Sequence, residues 1–330
     1  MRLLILTICF PVLLIASTIH VPGDQPTIQA GINAAGPGDI VEVACGDYTW
    51  SGEGSGINFW DGWFLIVMKS GVTVRSATGD PGCVTIDAEE QGGVFYFDGV
   101  DESASLEGLT LTGCSPGVTG GGVKCWSSSP MISHCDFIDN HGYSAGGGMY
   151  CYGSSPTLLN CNFVGNSASG SGGFHCDTSS PILTNCSFTG NTATGSSGGG
   201  MGFFSNCYPV LTNCTFTNNS AFMGYSVAVG SSSILTLNNC ILWEESGDEI
   251  RLFVDGSVVA ECSNIQEGWP GTGNIHSDPY FCDPLTDDFT LSGDSPCAPG
   301  NNGCGVLMGS FPIECTSAEV TSWGEVKTLY

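Results

Sequence analysis

Four stretches of the chain decide how it folds: PMISHCDFIDN (130–140), PTLLNCNFVGN (156–166), PILTNCSFTGN (181–191) and PVLTNCTFTNN (209–219). They align on Cys135, Cys161, Cys186 and Cys214, which stand 26, 25 and 28 residues apart, and Cys240 extends the row by another 26. Fixed-period self-similarity of this length marks a stacked repeat. Each unit also opens on a glycine cluster and a short strand: GGGVKC, GGGMYC, GGFHC and GGGMGF, with Cys125, Cys151 and Cys176 each ten residues ahead of the next cysteine of the first row. Helical repeats of this period need apolar residues at 3.6-residue spacing, and that spacing is missing. Short β-rich runs punctuated by Ser-Pro, Asn and Asn-Gly instead make three strands and three turns per coil of a parallel β-solenoid. Weaker units on both sides (GVTVRS, CVTIDAE, GGVFYFDG, SLEGLTLTG and EIRLFVDGSVVAECSNI) bring the expected total to roughly nine or ten coils, a rod of about 45 Å at the sheet spacing.

The composition agrees. The 330 residues include 49 Gly and 18 Cys but only 6 Lys+Arg against 32 Asp+Glu, a formal charge of -26. A hydrophobic fraction of 41% supports a packed core and excludes wholesale disorder. So few cations cannot neutralise phosphates, which argues against nucleic acid or an anionic membrane surface as partner. Residues 1–17, MRLLILTICFPVLLIAS, read as an export signal, too short for a comfortable membrane span, and no later stretch could span a bilayer. The expected location is therefore secreted, extracellular or at the cell surface, with the periplasm as a further compartment. Loss of Cys9 with the signal leaves 17 cysteines, so at least one thiol is free or pairs with another molecule. The expected organisation is a β-helix with terminal caps over 18–315 and a tail over 316–330. The run PTIQAGINAA (26–35) is the one expected helix, capping the first coil. Cys282, Cys297, Cys304 and Cys315 are expected to staple the far cap.

The opening TIHVPGDQPTIQAGINAAGPGDIVEVACGDYTW resembles that of secreted right-handed parallel β-helix proteins of the pectin-lyase-like superfamily. The repeats are similar to GG-x-x and F-x-x-N units of that group and of the polymorphic outer-membrane proteins. DPYFCDPLTDDFTLSGDSPCAPGNNGCGVLMGSF resembles the closing segment of bacterial β-helix repeat proteins. The resemblance implies an all-β right-handed parallel β-helix with an N-terminal capping helix. It does not choose among lyases, hydrolases, epimerases, adhesins and structural rods, all of which this fold hosts. It also implies that polysaccharide-active members use the face of the glycine-led strands as their groove.

Strand alternation assigns that face. Val123, Met149, Phe174 and Met201, with Cys125, Cys151, Cys176 and Phe203, are expected to point inward. Lys124, Tyr150, His175 and Gly202 then form one outward row, and Trp126, Tyr152, Asp177 and Phe204 the next. Extending the register adds Phe95 and Phe97 before them, and Arg251 and Phe253 after. The candidate ligand-binding set is Phe97, Lys124, Trp126, Tyr150, Tyr152, His175, Asp177 and Phe204. Rings in file can stack on sugar faces while polar neighbours orient hydroxyls. Two plainer readings compete: the rings only stabilise coil stacking, or the insertion TWSGEGSGINFWDGWF (49–64) covers them.

No catalytic residue is assigned. The resemblance implies that a lyase would need a cation-rich site and usually calcium, and the repeat body offers only Lys69, Arg75, Lys124 and Arg251, scattered over many coils. The Asp pair with a Gly-His-Gly turn and the Asp-Pro-His run of other members are absent. The cysteine columns are read as interior stacks, with vertical disulfides as the alternative. Asn140, Asn166, Asn191 and Asn219 are read as left-handed turn residues. The acidic loops Asp98–Glu102, Glu244–Glu249 and Asp283–Asp288 could take Ca²⁺ but match no compact ligand motif, so they are expected to be solvated and no cofactor is assigned. The expected function is a non-catalytic binding, adhesion or structural module, its partner a polysaccharide or a surface protein. The alternative is a polysaccharide lyase or glycoside hydrolase with an unfamiliar site.

Overall fold

The computed structural model describes residues 16–54, 56–59, 62–115, 117–244 and 248–316. The expected export signal and C-terminal tail lie almost wholly outside these residues. The chain is a parallel β-solenoid with three long sheets. Sheet A has ten strands, from Thr18–Val21 to Ser257–Glu261; sheet B has nine, from Gly46–Thr49 to Asn264–Ile265; sheet C has nine, from Ile57–Phe59 to Ile250–Leu252. Each central coil runs through C, then A, then B. Residues 123–126, 131–133 and 136–138 make one such coil.

In-register stacking turns every repeated residue into a column. Phe137, Phe163, Phe188 and Phe216 stack at 4.3, 4.6 and 4.7 Å between successive ring centroids, nearly parallel, and all are fully buried. Both cysteine columns are interior and unbridged, as the stack reading expects. Cys125, Cys151 and Cys176 lie on one wall, and Cys135, Cys161, Cys186, Cys214 and Cys240 on another, all as free thiols. The disulfides are instead at the ends: Cys45–Cys83 near the first coils, and Cys262–Cys304 and Cys282–Cys315 at the last. Cys297, expected in the terminal staple, is a buried free thiol.

The asparagines 140, 166, 191 and 219 correct the sequence reading. The left-handed residue is the one before each of them: Asp139, Gly165, Gly190 and Asn218, with φ of 49°, 65°, 66° and 56°. The asparagines themselves turn inward as a buried ladder. The side-chain carbonyl of Asn166 accepts both the backbone N–H and the amide of Asn140, each at 3.1 Å, and the pattern repeats from Asn166 to Asn191 and from Asn191 to Asn219. Each amide also donates to a backbone carbonyl of the preceding coil, as Asn140 does to Leu111 at 2.9 Å. Glu244 takes the next rung. Its carboxylate accepts the N–H and amide of Asn219 at 2.7 and 3.0 Å and the Ser226 hydroxyl at 2.6 Å. Glu244 and Glu249 are buried, so these two acids are not solvated as expected.

The glycine clusters follow from the same close stacking. A Cβ on Gly147 would lie 2.5 Å from the Ser167 carbonyl oxygen and 2.7 Å from that of Gly172 in the next coil, so no side chain fits. At the N-terminus the expected helix spans Ile28–Ala34, with Thr27 capping the N–H of Ala30, and buries Ile28 and Ile32 against the first coil. Gly31 lets it approach closely, since a Cβ there would stand 2.8 Å from Val41.

Candidate functional site

Sheet C carries the two outward rows. Register pairs Lys124 with Tyr150, Tyr150 with His175 and His175 with Gly202. In the second row Trp126 pairs with Tyr152, Tyr152 with Asp177 and Asp177 with Phe204. The later members also fall in line, with Arg251 over the Phe253 ring at 5.6 Å and Phe253 at 6.1 Å from Phe204.

Phe97 is not part of this face. It pairs with Cys125 and is fully buried, as is Phe95 opposite Val123; the outward residues of that coil are Tyr96 and Asp98. The reason is a one-residue offset. In GGVFYF, Val94 takes the place that the last glycine of the cluster holds in later coils, and a single-residue slip in a strand exchanges its two faces. Tyr96 in turn is covered. The insertion adds a strand, Ile57–Phe59, antiparallel to Gly62–Val67 at the sheet edge, and Phe59 and Phe64 pack on Tyr96 at 4.2 and 5.1 Å. The insertion thus closes the first end of the file, and Trp126 packs against the edge of that cluster.

Lys124 points to the outer side but is only 2% exposed, with its ammonium 5.9 Å from the Trp126 ring and 5.5 Å from that of Tyr150. Burial lowers its pKa to about 8. It is not the solvent-facing cation the alternation rule suggests.

The open part of the face centres on Asp177. Its carboxylate faces Nε2 of His175 at 3.4 Å and accepts from the hydroxyls of Tyr150 and Ser205, each at 3.2 Å. Burial alone would raise this carboxyl, but the imidazole and the two hydroxyls outweigh it and hold Asp177 below its ordinary range. With Nε2–H turned to the carboxylate, Nδ1 of His175 accepts from Ser171 at 3.0 Å. Gly202 makes room for this pair, since a Cβ there would strike the Ser171 hydroxyl. Burial, with the Asp177 charge second, pushes the Tyr150 phenol upward. Ser171 and Ser205 lie just outside the strand alternation, which is why strand parity alone does not find them.

The rings are used largely by one another. Trp126 and Tyr152 stack at 4.3 Å and 15°, leaving no space for a guest between them. Tyr150, His175 and Phe204 form a second stack at 5.5 and 5.4 Å. The exception is the Tyr152 face turned away from Trp126. The next residue in its row is the short Asp177, and Tyr152 is 40% exposed. Among the described residues no group of three or more His, Cys, Asp or Glu is placed to hold a metal ion.

The family-model comparison agrees with this architecture. The family model described as right handed beta helix region matches residues 58–197 and 184–271. A solved structure, the crystal structure of pectate lyase Pel9A, is similar in fold at 14% sequence identity with a TM-score of 0.49, over 90% of this chain and 96% of that one. No curated protein matches the sequence. With two overlapping matches spanning well over half its length, the chain belongs to the right-handed β-helix family.

Proposed function

We propose that this protein is an exported, non-catalytic β-helix that binds a neutral or cationic glycan, or a protein, on the open half of sheet C. The observation that carries this reading is the exposed Tyr152 ring beside a carboxylate held in place by three donors. An apolar ring face next to a fixed acceptor suits a sugar, which offers C–H groups to one and hydroxyls to the other. The contact set is Tyr152, Asp177 and Phe204, with Tyr150 and His175 as positioning residues and Trp126 as the support of Tyr152.

The same geometry speaks against catalysis. Both ring nitrogens of His175 are engaged, Asp177 is a weakened base, and Tyr150 is shifted away from ionisation. One observation favours the alternative, a polysaccharide lyase or hydrolase: the Lys124 ammonium, lowered to about 8, ionises in the range a general base needs. Its burial keeps substrate from reaching it in this conformation. Export is supported by three disulfides, which persist in oxidising compartments. No described helix is long and apolar enough to cross a membrane.

The test is a panel of neutral and acidic polysaccharides scored for both retention and chain shortening. Retention weakened in Tyr152→Ala, with no shortening, is the expected result. Any shortening that disappears in Lys124→Met would establish the enzyme instead.

A further inference from the structure

A second concavity lies on another side of the rod. The terminal segment after the last coil folds back over the outer face of sheet B, tied down by the Ser310 N–H to the Thr215 hydroxyl at 2.9 Å and by the Gly309 N–H to the Asn239 carbonyl at 2.7 Å. Between segment and sheet it leaves two adjoining hollows of about 450 and 360 Å³, which share Asn162 and Phe311. Each is the size of a small-molecule site.

The floor is built from short polar side chains in two stacked rows. In one, the Asn162 amide donates to Asp136 at 2.8 Å, and the Ser187 hydroxyl donates to Asn162 at 2.7 Å. In the other, Asn185 donates to Asn160 at 3.1 Å and Asn213 to Asn185 at 3.2 Å. The second row ends at Asn213, whose side-chain oxygen has no partner among the described residues. The same holds for the side-chain oxygens of Asn218 and Ser310, which also line the hollows. Buried polar atoms are nearly always satisfied, so three unmet ones, Asn218 at the larger hollow and Asn213 and Ser310 at the smaller, call for an added hydrogen-bonding group. The Phe311 ring forms a wall common to both hollows. Among the described residues the lining has carboxylates at Asp136 and Asp287 and no lysine or arginine.

We propose that this groove is a binding site for a neutral oligosaccharide of two to four residues, separate from the patch on sheet C and independent of it. Closely spaced amides and hydroxyls match sugar hydroxyls, and the phenyl wall offers a face for a pyranose ring. A uronide is repelled by the two carboxylates and finds no cation among the described lining residues. A peptide would look for free backbone groups at a sheet edge, and this floor is a sheet face whose backbone is already paired.

The test titrates the full chain with cellotetraose, xylotetraose, mannotetraose and tetragalacturonate by calorimetry. At least one neutral tetrasaccharide is expected to saturate the protein with a Kd below about 1 mM, and tetragalacturonate is not. Val164→Trp and Thr189→Trp, each placing an indole at the groove, are expected to weaken that binding at least tenfold. The part of that binding lost in the tryptophan variants is expected to persist in Tyr152→Ala, which separates this site from the one on sheet C. Failure of all three neutral sugars to bind would overturn the proposal. So would unchanged affinity in both tryptophan variants, each shown by circular dichroism to be folded, or preferential binding of tetragalacturonate.

Discussion

The buried acid Glu249 offers the sharpest test of how the last coils are held. It is inaccessible to solvent, and the backbone N–H groups of Glu249, Glu267 and Asp248 near its carboxylate offset only part of the cost of that burial. Burial, with repulsion from Glu267 as a smaller contribution, raises its pKa from the ordinary 4.5 to about 7. Its folded pKa lies above its unfolded one, so the penalty is absent below pH 4.5. It grows as pH rises and is complete above pH 7. At 1.36 kcal/mol per pH unit, the displacement costs the native state about 3 kcal/mol at pH 8. Glu249→Gln removes the charge and keeps the shape. Guanidinium unfolding at pH 4 and pH 8, followed by far-ultraviolet circular dichroism, should show the two proteins nearly equal at pH 4. At pH 8 the variant should be more stable by about 3 kcal/mol, and by somewhat more if Glu244, which the Glu249 charge also raises, relaxes with it. An advantage of the same size at both pH values would refute the assignment of the cost to ionisation. No advantage at either would refute the burial itself.

Replacing Asn166 by Leu strands the N–H of Asn140 and the carbonyl of Phe137 in the interior and should cost about 2–4 kcal/mol in the same unfolding assay. Phe163→Ala removes the middle of the phenylalanine stack and should cost about 3–5 kcal/mol. The buried free thiols should be silent to a thiol reagent in the native protein and react together once it unfolds, because burial pushes most of them upward and blocks access; rapid labelling of Cys161 without unfolding would contradict the packing. Ligand binding at sheet C should persist on acidification to below the ordinary carboxylate range, since Asp177 is held low, and that acid limit should vanish in Asp177→Asn, as read by retention against pH.

How much was legible beforehand can be argued from individual columns. The Cys125 column and the outward Trp126–Tyr152 row sit in strands that share a glycine cluster, and the phenylalanine stack sits in strands that share a Cys-x-Phe run, so aligning the repeats also aligned the pleat. Phe97 lies where that cluster is irregular, and alignment on Val94 rather than Phe95 reversed its face. Glu244 lies 25 residues after Asn219, at the repeat period, and that spacing was the available signal for a ladder rung. Its acidic neighbours favoured a solvated loop instead.

The sequence alone determined the periodic solenoid, its interior columns and the sheet that carries the outward rows, because each depends on local alternation multiplied by a fixed period. Only the tertiary structure decided which cysteines bridge, that Lys124 is buried, and that His175 and Asp177 are fully engaged. It alone placed the terminal segment over sheet B to make a groove. The reason is physical. A parallel stack repeats whatever its strands encode, whereas bridges and cap docking join residues far apart in sequence through loops that carry no period.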